Sequence, residues 1–143
     1  MPERPQGLLC FDFGTRQIGV AYGQTLTATT TPVTVLKAQD GQPQWADVSR
    51  LIDEWRPDRL LVGLPLNMDG SESDFCLRAR RFARRLRART AKPVTMVDER
   101  LSTAGAKAAA GPIHDYRRQP VDALAAALIL DTWLAAPDVG CEP

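Results

Sequence analysis

Apolar and polar positions alternate or cluster along the chain in a way that predicts most of its elements. Leu8 to Phe13 is an apolar run of strand length that carries one acid, Asp12. Gly14-Thr15-Arg16-Gln17 reads as a tight turn, and Ile18 to Tyr22 as the returning strand with Gly19 inside it. Thr29 to Lys37 is rich in Thr and Val and predicts a third strand, with Pro32 pointing to an edge or a bulge. Gln39 to Pro43 reads as a turn. Trp45, Val48, Leu51, Ile52 and Trp55 follow at helical spacing, which predicts a helix over 44–55 ended by Arg56-Pro57-Asp58. Arg59 to Gly63 is a short buried strand, and Leu64 to Gly70 a loop. Ser71-x-x-Asp74 has the form of a capping box for a helix that runs to about Thr90, with Phe75, Ala79, Phe82 and Leu86 on one face. Pro93 to Val97 predicts a fifth strand, closed by Asp98-Glu99-Arg100. Ser102 suits the start of a short Ala-rich helix up to Ala110. After the polar stretch Gly111–Gln119, Pro120 suits the first turn of a last helix, Val121 to Ala135. A three-stranded meander followed by helix-strand alternation predicts an α/β fold: a mixed sheet of five strands with helices on both faces.

Composition narrows the class without naming a chemistry. The 143 residues suit a single domain, 1–143, with an ordered core over about 8–135. A content of 44% hydrophobic and 24% charged residues is that of a water-soluble globular protein. The net charge of +1 does not announce a polyanionic partner. Cys10, Cys76 and Cys141 are odd in number and far apart, so they suggest neither a disulfide framework nor a zinc site. Reduced thiols, and the lack of a leader or a long apolar run, lead us to expect a cytoplasmic protein with no membrane segment.

Chemistry enters with the acids. Asp12 sits in an apolar strand, Asp98 and Glu99 close another, and Asp122 lies in the first turn of the last helix. Each has a bland explanation. Asp122 offsets a helix dipole, Asp98 and Glu99 decorate a solvated strand end, and Asp12 pairs with a cation such as Arg16 or Arg100. Brought together, such carboxylates repel unless they share cations, and an all-oxygen set suits Mg²⁺ or Mn²⁺. Two ions ~4 Å apart can activate a water and stabilise the leaving oxygen of a phosphodiester. Binding of one ion without catalysis fits the same residues.

The charge is unevenly spread. Arg78, Arg80, Arg81, Arg84, Arg85, Arg87, Arg89 and Lys92 crowd eight of the chain's 18 basic residues into 15 positions with no acid between them. Like charges at i, i+4 cost a helix a few tenths of a kcal/mol, a cost that a phosphate backbone converts into binding. The plainer reading is a solvated outer face. Phe75 and Phe82 suit a core better than a base-stacking platform. His114, the one histidine, could assist proton transfer or simply occupy an exposed loop. Ser102 and Thr103 could touch a phosphate or cap a helix, and Asn67 with Asp69-Gly70 could be turn chemistry alone.

Four ordered blocks carry a resemblance. They are Asp12-Phe-Gly-Thr-x-x-Ile-Gly-Val-Ala, Val62-Gly-Leu-Pro-Leu-Asn-Met-Asp-Gly70, Asp98-Glu-Arg-Leu-Ser-Thr103 and Val121-Asp-Ala-x-Ala-Ala-x-Leu-Ile-Leu130. From Leu8 to Leu134 the chain resembles the YqgF/RuvX family, described both as pre-16S rRNA nucleases and as Holliday-junction-resolvase-like. The resemblance implies a ribonuclease-H-like fold and a divalent-metal nuclease acting at the 5′ end of pre-16S rRNA. It implies metal-binding acids at Asp12, Glu99 and Asp122. Adjacent strand residues face opposite sides, so of Asp98 and Glu99 we expect Glu99 to serve the site. Nucleic-acid contacts are expected from Arg78, Arg81, Arg85, Arg100, Ser102, Thr103 and Asn67. Two departures bear on this transfer. Gly105 stands where members often carry Glu, and Pro120 stands where many carry Lys just before the last acid. The stretch between Gly111 and Asp122 is also shorter than in many relatives.

The implied partners are a structured rRNA precursor or a DNA junction, and ribosomal particles, with the protein a monomer or a weak homodimer. Two other functions fit parts of the sequence. A sugar-kinase or actin-like ATPase shares the Asp-Phe-Gly-Thr loop but needs a second lobe. A non-catalytic RNA- or ribosome-binding factor would not need the acids.

Overall fold

The computed structural model describes residues 5–66, 69–98, 121–135 and 140–143. In its first strand the pleat sends successive side chains to opposite sides, so Leu9, Phe11 and Phe13 enter one core and Leu8 and Cys10 another. That strand, β1 (Gly7–Asp12), is followed by β2 (Gln17–Gln24), β3 (Thr29–Gln39), β4 (Gln42–Pro43), α1 (Trp45–Trp55), β5 (Arg59–Leu64), α2 (Asp74–Thr90), β6 (Val94–Asp98) and α3 (Val121–Ala135). The sheet order is β4-β3-β2-β1-β5-β6. β1, β2 and β3 form the antiparallel meander, while β5 and β6 join β1 in parallel.

The sheet has six strands where the hydrophobic pattern predicts five. The extra one is β4, in the stretch expected to be only a turn. Asp40 (φ 51°) and Gly41 (φ 79°) take left-handed conformations that fold the chain back, so that Gln39 and Ala38 pair with Gln42 and Pro43. Two residues are too few to leave a periodic signal. Pro32 behaves as expected: the β2–β3 register shifts between Val20 and Ala21, opposite it.

The two faces of the sheet carry different helices. α1 and α2 cover the Leu9/Phe11 face with Val48, Leu51, Ala79, Phe82 and Leu86. α3 covers the Leu8/Cys10 face with Ala126, Ala127, Ile129, Leu130 and Trp133. α3 lies close to β2, because a methyl group on Gly23 would come within 2.7 Å of Leu130 Cδ2. Thr30 Oγ1 donates to Asp131 Oδ1 at 2.9 Å and ties the helix to β3. The cap of α2 corrects one expectation. Ser73, not Ser71, is the N-cap, and its Oγ accepts from the Cys76 N–H. Ser71 instead turns back to Asp69, its N–H and Oγ both donating to Oδ1. Among the described residues no helix is long and apolar enough to cross a membrane.

Candidate functional site

Because β1, β5 and β6 are parallel, their carboxyl ends share one edge of the sheet, where functional groups of α/β folds gather. Asp12 is the last residue of β1 and is partly buried. Alternation puts it on the face of Leu8 and Cys10, the side covered by α3. Its rung partner on β2 is Gly19. On its other side the last rung is Phe11 with Val62, and one step further along β5 stands Gly63. A carboxylate thus stands on a central strand between two positions that have no side chain. The flanking strands hold it in place, and both glycines are buried, positions where a strand glycine permits close approach of another group.

Asp98 ends β6 opposite Leu64. Val94 and Met96 belong to the core under α1 and α2, so the pleat gives Asp98 that face rather than the face of Asp12. Asp122 is the second residue of α3. Glu99, Arg100, Ser102, Thr103, Asn67 and His114 lie outside the described residues, as does the short helix expected up to Ala110. Among the described residues no three His, Cys, Asp or Glu side chains come close enough to hold a metal ion.

The arginines of α2 separate into two rows. Positions three and four apart share one side of a helix. Arg78, Arg81, Arg85 and Arg89 therefore form one row, Arg80, Arg84 and Arg87 another, and the buried Ala79, Phe82, Ala83 and Leu86 run between them. In the first row Arg78, Arg81 and Arg85 are exposed and make no ion pair or hydrogen bond among the described residues. Arg89 stacks its guanidinium 4.5 Å above the Trp45 ring. The second row is engaged throughout. Arg80 grips Glu72 with two bonds, Nε to Oε1 at 2.6 Å and Nη2 to Oε2 at 3.1 Å, and donates to the Glu142 carbonyl at 2.9 Å. Arg84 donates to the Pro143 carbonyl at 3.1 Å, and Arg87 meets Glu142 Oε2 at 3.3 Å. The hydrogen bonds from Arg80, helped by its charge, hold the Glu72 carboxyl below its ordinary range. The partner acids were not seen in the sequence because they flank the helix from outside: Glu72 precedes it and Glu142 comes from the far end of the chain. Gly63 was also overlooked. A glycine inside a buried strand is the signal that could have drawn attention to it.

The family model described as RuvX, Holliday junction resolvase, matches residues 6–136. A protein of Azotobacter vinelandii, provisionally named a pre-16S rRNA nuclease, is 56% identical over 139 residues, covering 95% of this chain and 98% of its own. Pseudomonas paraeruginosa has a protein of the same name that is 56% identical over 131 residues, covering 90% and 91%. Among solved structures, RuvC of Thermus thermophilus in complex with a Holliday junction substrate superposes with a TM-score of 0.57 at 15% identity, over 92% of this chain and 95% of that one. A second Thermus thermophilus RuvC structure gives 0.52 at 16% identity, over 94% and 98%. At that identity the likeness establishes a shared fold, the ribonuclease-H-like sheet.

Proposed function

Because the chain belongs to the RuvX family, we propose that it is a divalent-metal-dependent endonuclease that processes the 5′ end of pre-16S rRNA by phosphodiester hydrolysis. The observation that carries this reading is Asp12 at the carboxyl edge of the sheet, held on a central strand with Gly19 and Gly63 as neighbours. Names of relatives that share more than half of its residues support the substrate.

The donor chemistry fits Mg²⁺ or Mn²⁺, since Asp12, Glu99 and Asp122 offer only carboxylate oxygen. Two arguments favour these three. Asp98 shares the face of Met96, away from Asp12, which leaves Glu99 as the acid of that pair for the site. The spacing of Asp122 also agrees. Leu130 lies over Gly23, whose rung partner is Leu8. The four steps from Leu8 to Asp12 span about 13 Å of strand. The eight steps from Leu130 back to Asp122 span about 12 Å of helix. A helix laid along β2 toward Gln17 would therefore start level with Asp12. Asp12, Glu99 and Asp122 would hold the two ions. Such a pair supplies an activated water and charge stabilisation at the leaving oxygen.

The remaining roles belong to side chains that grip the substrate. Arg78, Arg81 and Arg85 present exposed guanidinium groups suited to phosphate oxygens. Arg100, Ser102, Thr103 and Asn67 would add further contacts. The same reading makes the protein cytoplasmic, a monomer or weak homodimer, acting on precursor particles. Asp12→Asn tests it. Cleavage of a precursor-rRNA fragment in Mg²⁺ should fall to background while the far-UV spectrum and thermal midpoint hold; undiminished cutting sinks the proposal. The family description and the RuvC-like fold favour one second reading, a nuclease of DNA junctions. Competition between a labelled four-way DNA junction and the rRNA fragment separates the two.

A further inference from the structure

The second arginine row of α2 is filled by the chain itself. Cys141 forms an antiparallel bridge to Met96 at the edge of β6, its N–H donating to the Met96 carbonyl at 2.9 Å and its carbonyl accepting at 2.7 Å. From that anchor Glu142 and Pro143 run over Arg80, Arg84 and Arg87 and offer two backbone oxygens and one side-chain carboxylate. A nucleic-acid backbone offers arginine the same thing: oxygens carrying negative charge, spaced along a chain.

We propose that Glu142-Pro143 is an internal stand-in for a phosphate backbone, and that Arg84 and Arg87 form a second phosphate-binding row that a nucleic acid uncovers by displacing these two residues. The inference rests on the reading of the protein as a nucleic-acid enzyme and adds a regulated surface to it.

Three features make the cover removable. Its contacts are open to water: the Glu142 side chain is 89% exposed and that of Arg87 46%. Exposed pairs of this kind are weak and screened by salt. A polyanion brings a run of charges against the short segment that it replaces, and it releases counterions as it binds. The two backbone bonds at Cys141 hold the preceding residue to the sheet whether or not Glu142 swings away. Arg80 does not move with it, since the two-bond grip of Glu72 keeps its guanidinium in place. The covered row then lies on the β6 flank of α2 and the open row, Arg78, Arg81 and Arg85, on the other. A nucleic acid that used both would straddle the helix.

The test is a binding titration of a fluorescently labelled structured RNA, without divalent metal, at several salt concentrations. The proteins compared are the full chain and a chain ending at Cys141. Truncation should tighten binding several-fold and steepen the slope of log K against log salt by about 1–2, given about 0.7–0.9 per phosphate contacted. Arg84→Ala with Arg87→Ala should erase that gain in the shortened chain and change little in the full one. Glu54→Gln, on α1, controls for the loss of one negative charge. Equal affinity and slope for the two chains would overturn the inference, and so would an equal gain from Glu54→Gln. Should the shortened chain fail to fold, Glu142→Gln replaces it: a smaller gain of the same sign is expected, and no gain overturns the proposal. The outcome is independent of catalysis, because the nuclease reading stands or falls on cleavage by Asp12→Asn.

Discussion

The two faces of the sheet are built from different materials. Under α1 and α2 the core is aromatic and bulky. Phe82 sits against Phe11 (5.9 Å between ring centroids), Phe13 (5.4 Å) and Trp45 (5.9 Å), and Phe13 also meets Phe75 at 5.3 Å. Under α3 the sheet offers Cys10, Ala21 and Gly23, and the helix answers with Ala123, Ala126 and Ala127. Large rings bury much area and hold a helix at a distance. Small residues give up that area and let a helix come close. Asp12 belongs to the close-packed side. The bulkier aromatic core therefore lies on one face and the candidate acid Asp12 on the other, although both are read off the same strand at alternate positions.

Substitutions on the two faces should then fail in different ways. The largest effect is expected from Asp12→Asn. Cleavage should drop by well over the ~10–100-fold typical of losing an outer partner of a metal ligand, with the urea midpoint almost unchanged. Phe82→Ala is the opposite case. It removes the ring shared by three aromatic contacts and should cost about 3–5 kcal/mol in urea unfolding, while the fraction still folded cleaves at a normal rate. A matching loss of rate in the folded fraction would show that the faces are not separable.

Gly23→Val sharpens the comparison, because it strikes the close approach of α3. Its Cβ would lie 2.7 Å from Leu130 Cδ2 and 2.9 Å from the Thr29 carbonyl oxygen, and the second of these is backbone that cannot rotate away. We expect about 1–3 kcal/mol of destabilisation together with a loss of cleavage, since the start of α3 carries Asp122. Stability lost with cleavage intact would detach α3 from the site.

The smallest effect is expected at the Glu72–Arg80 pair, at the surface beside the aromatic face. The folded Glu72 carboxyl titrates below its ordinary value of 4.5 because Arg80 donates to it. A carboxyl with a depressed folded pKa stabilises above its unfolded pKa, and that stabilisation is lost as pH falls through the folded value. Glu72→Gln should thus lower the thermal midpoint slightly at neutral pH and converge with the parent in acid below 4.5. A difference that grows toward low pH would contradict the assignment.

Much of this is legible in the sequence. Apolar runs placed β1, β2 and β5 within a residue or two, because these strands meet a core on both faces; helical spacing placed α1, which buries one face, and Pro120 before an apolar run placed α3. Of the edge or bulge that Pro32 pointed to, the structure has the bulge, opposite Val20–Ala21. The motif blocks identified the family because their order and spacing are specific together. What failed was local and short: β4, set by a left-handed pair at Asp40–Gly41, and the cap at Ser73, where two serines competed for one helix start.

Sequence alone determined which residue types are available: one acid in an apolar strand, an arginine-rich helix, small residues on the last helix. Tertiary structure decided which of them meet. Parallel pairing of β1 with β5 put Gly63 beside Asp12, and the return of residues 140–143 to β6 divided one arginine-rich helix into an open row and a covered one. Both depend on contacts between residues more than forty positions apart. Periodicity reports only a residue's own neighbourhood, so no local pattern could have announced them.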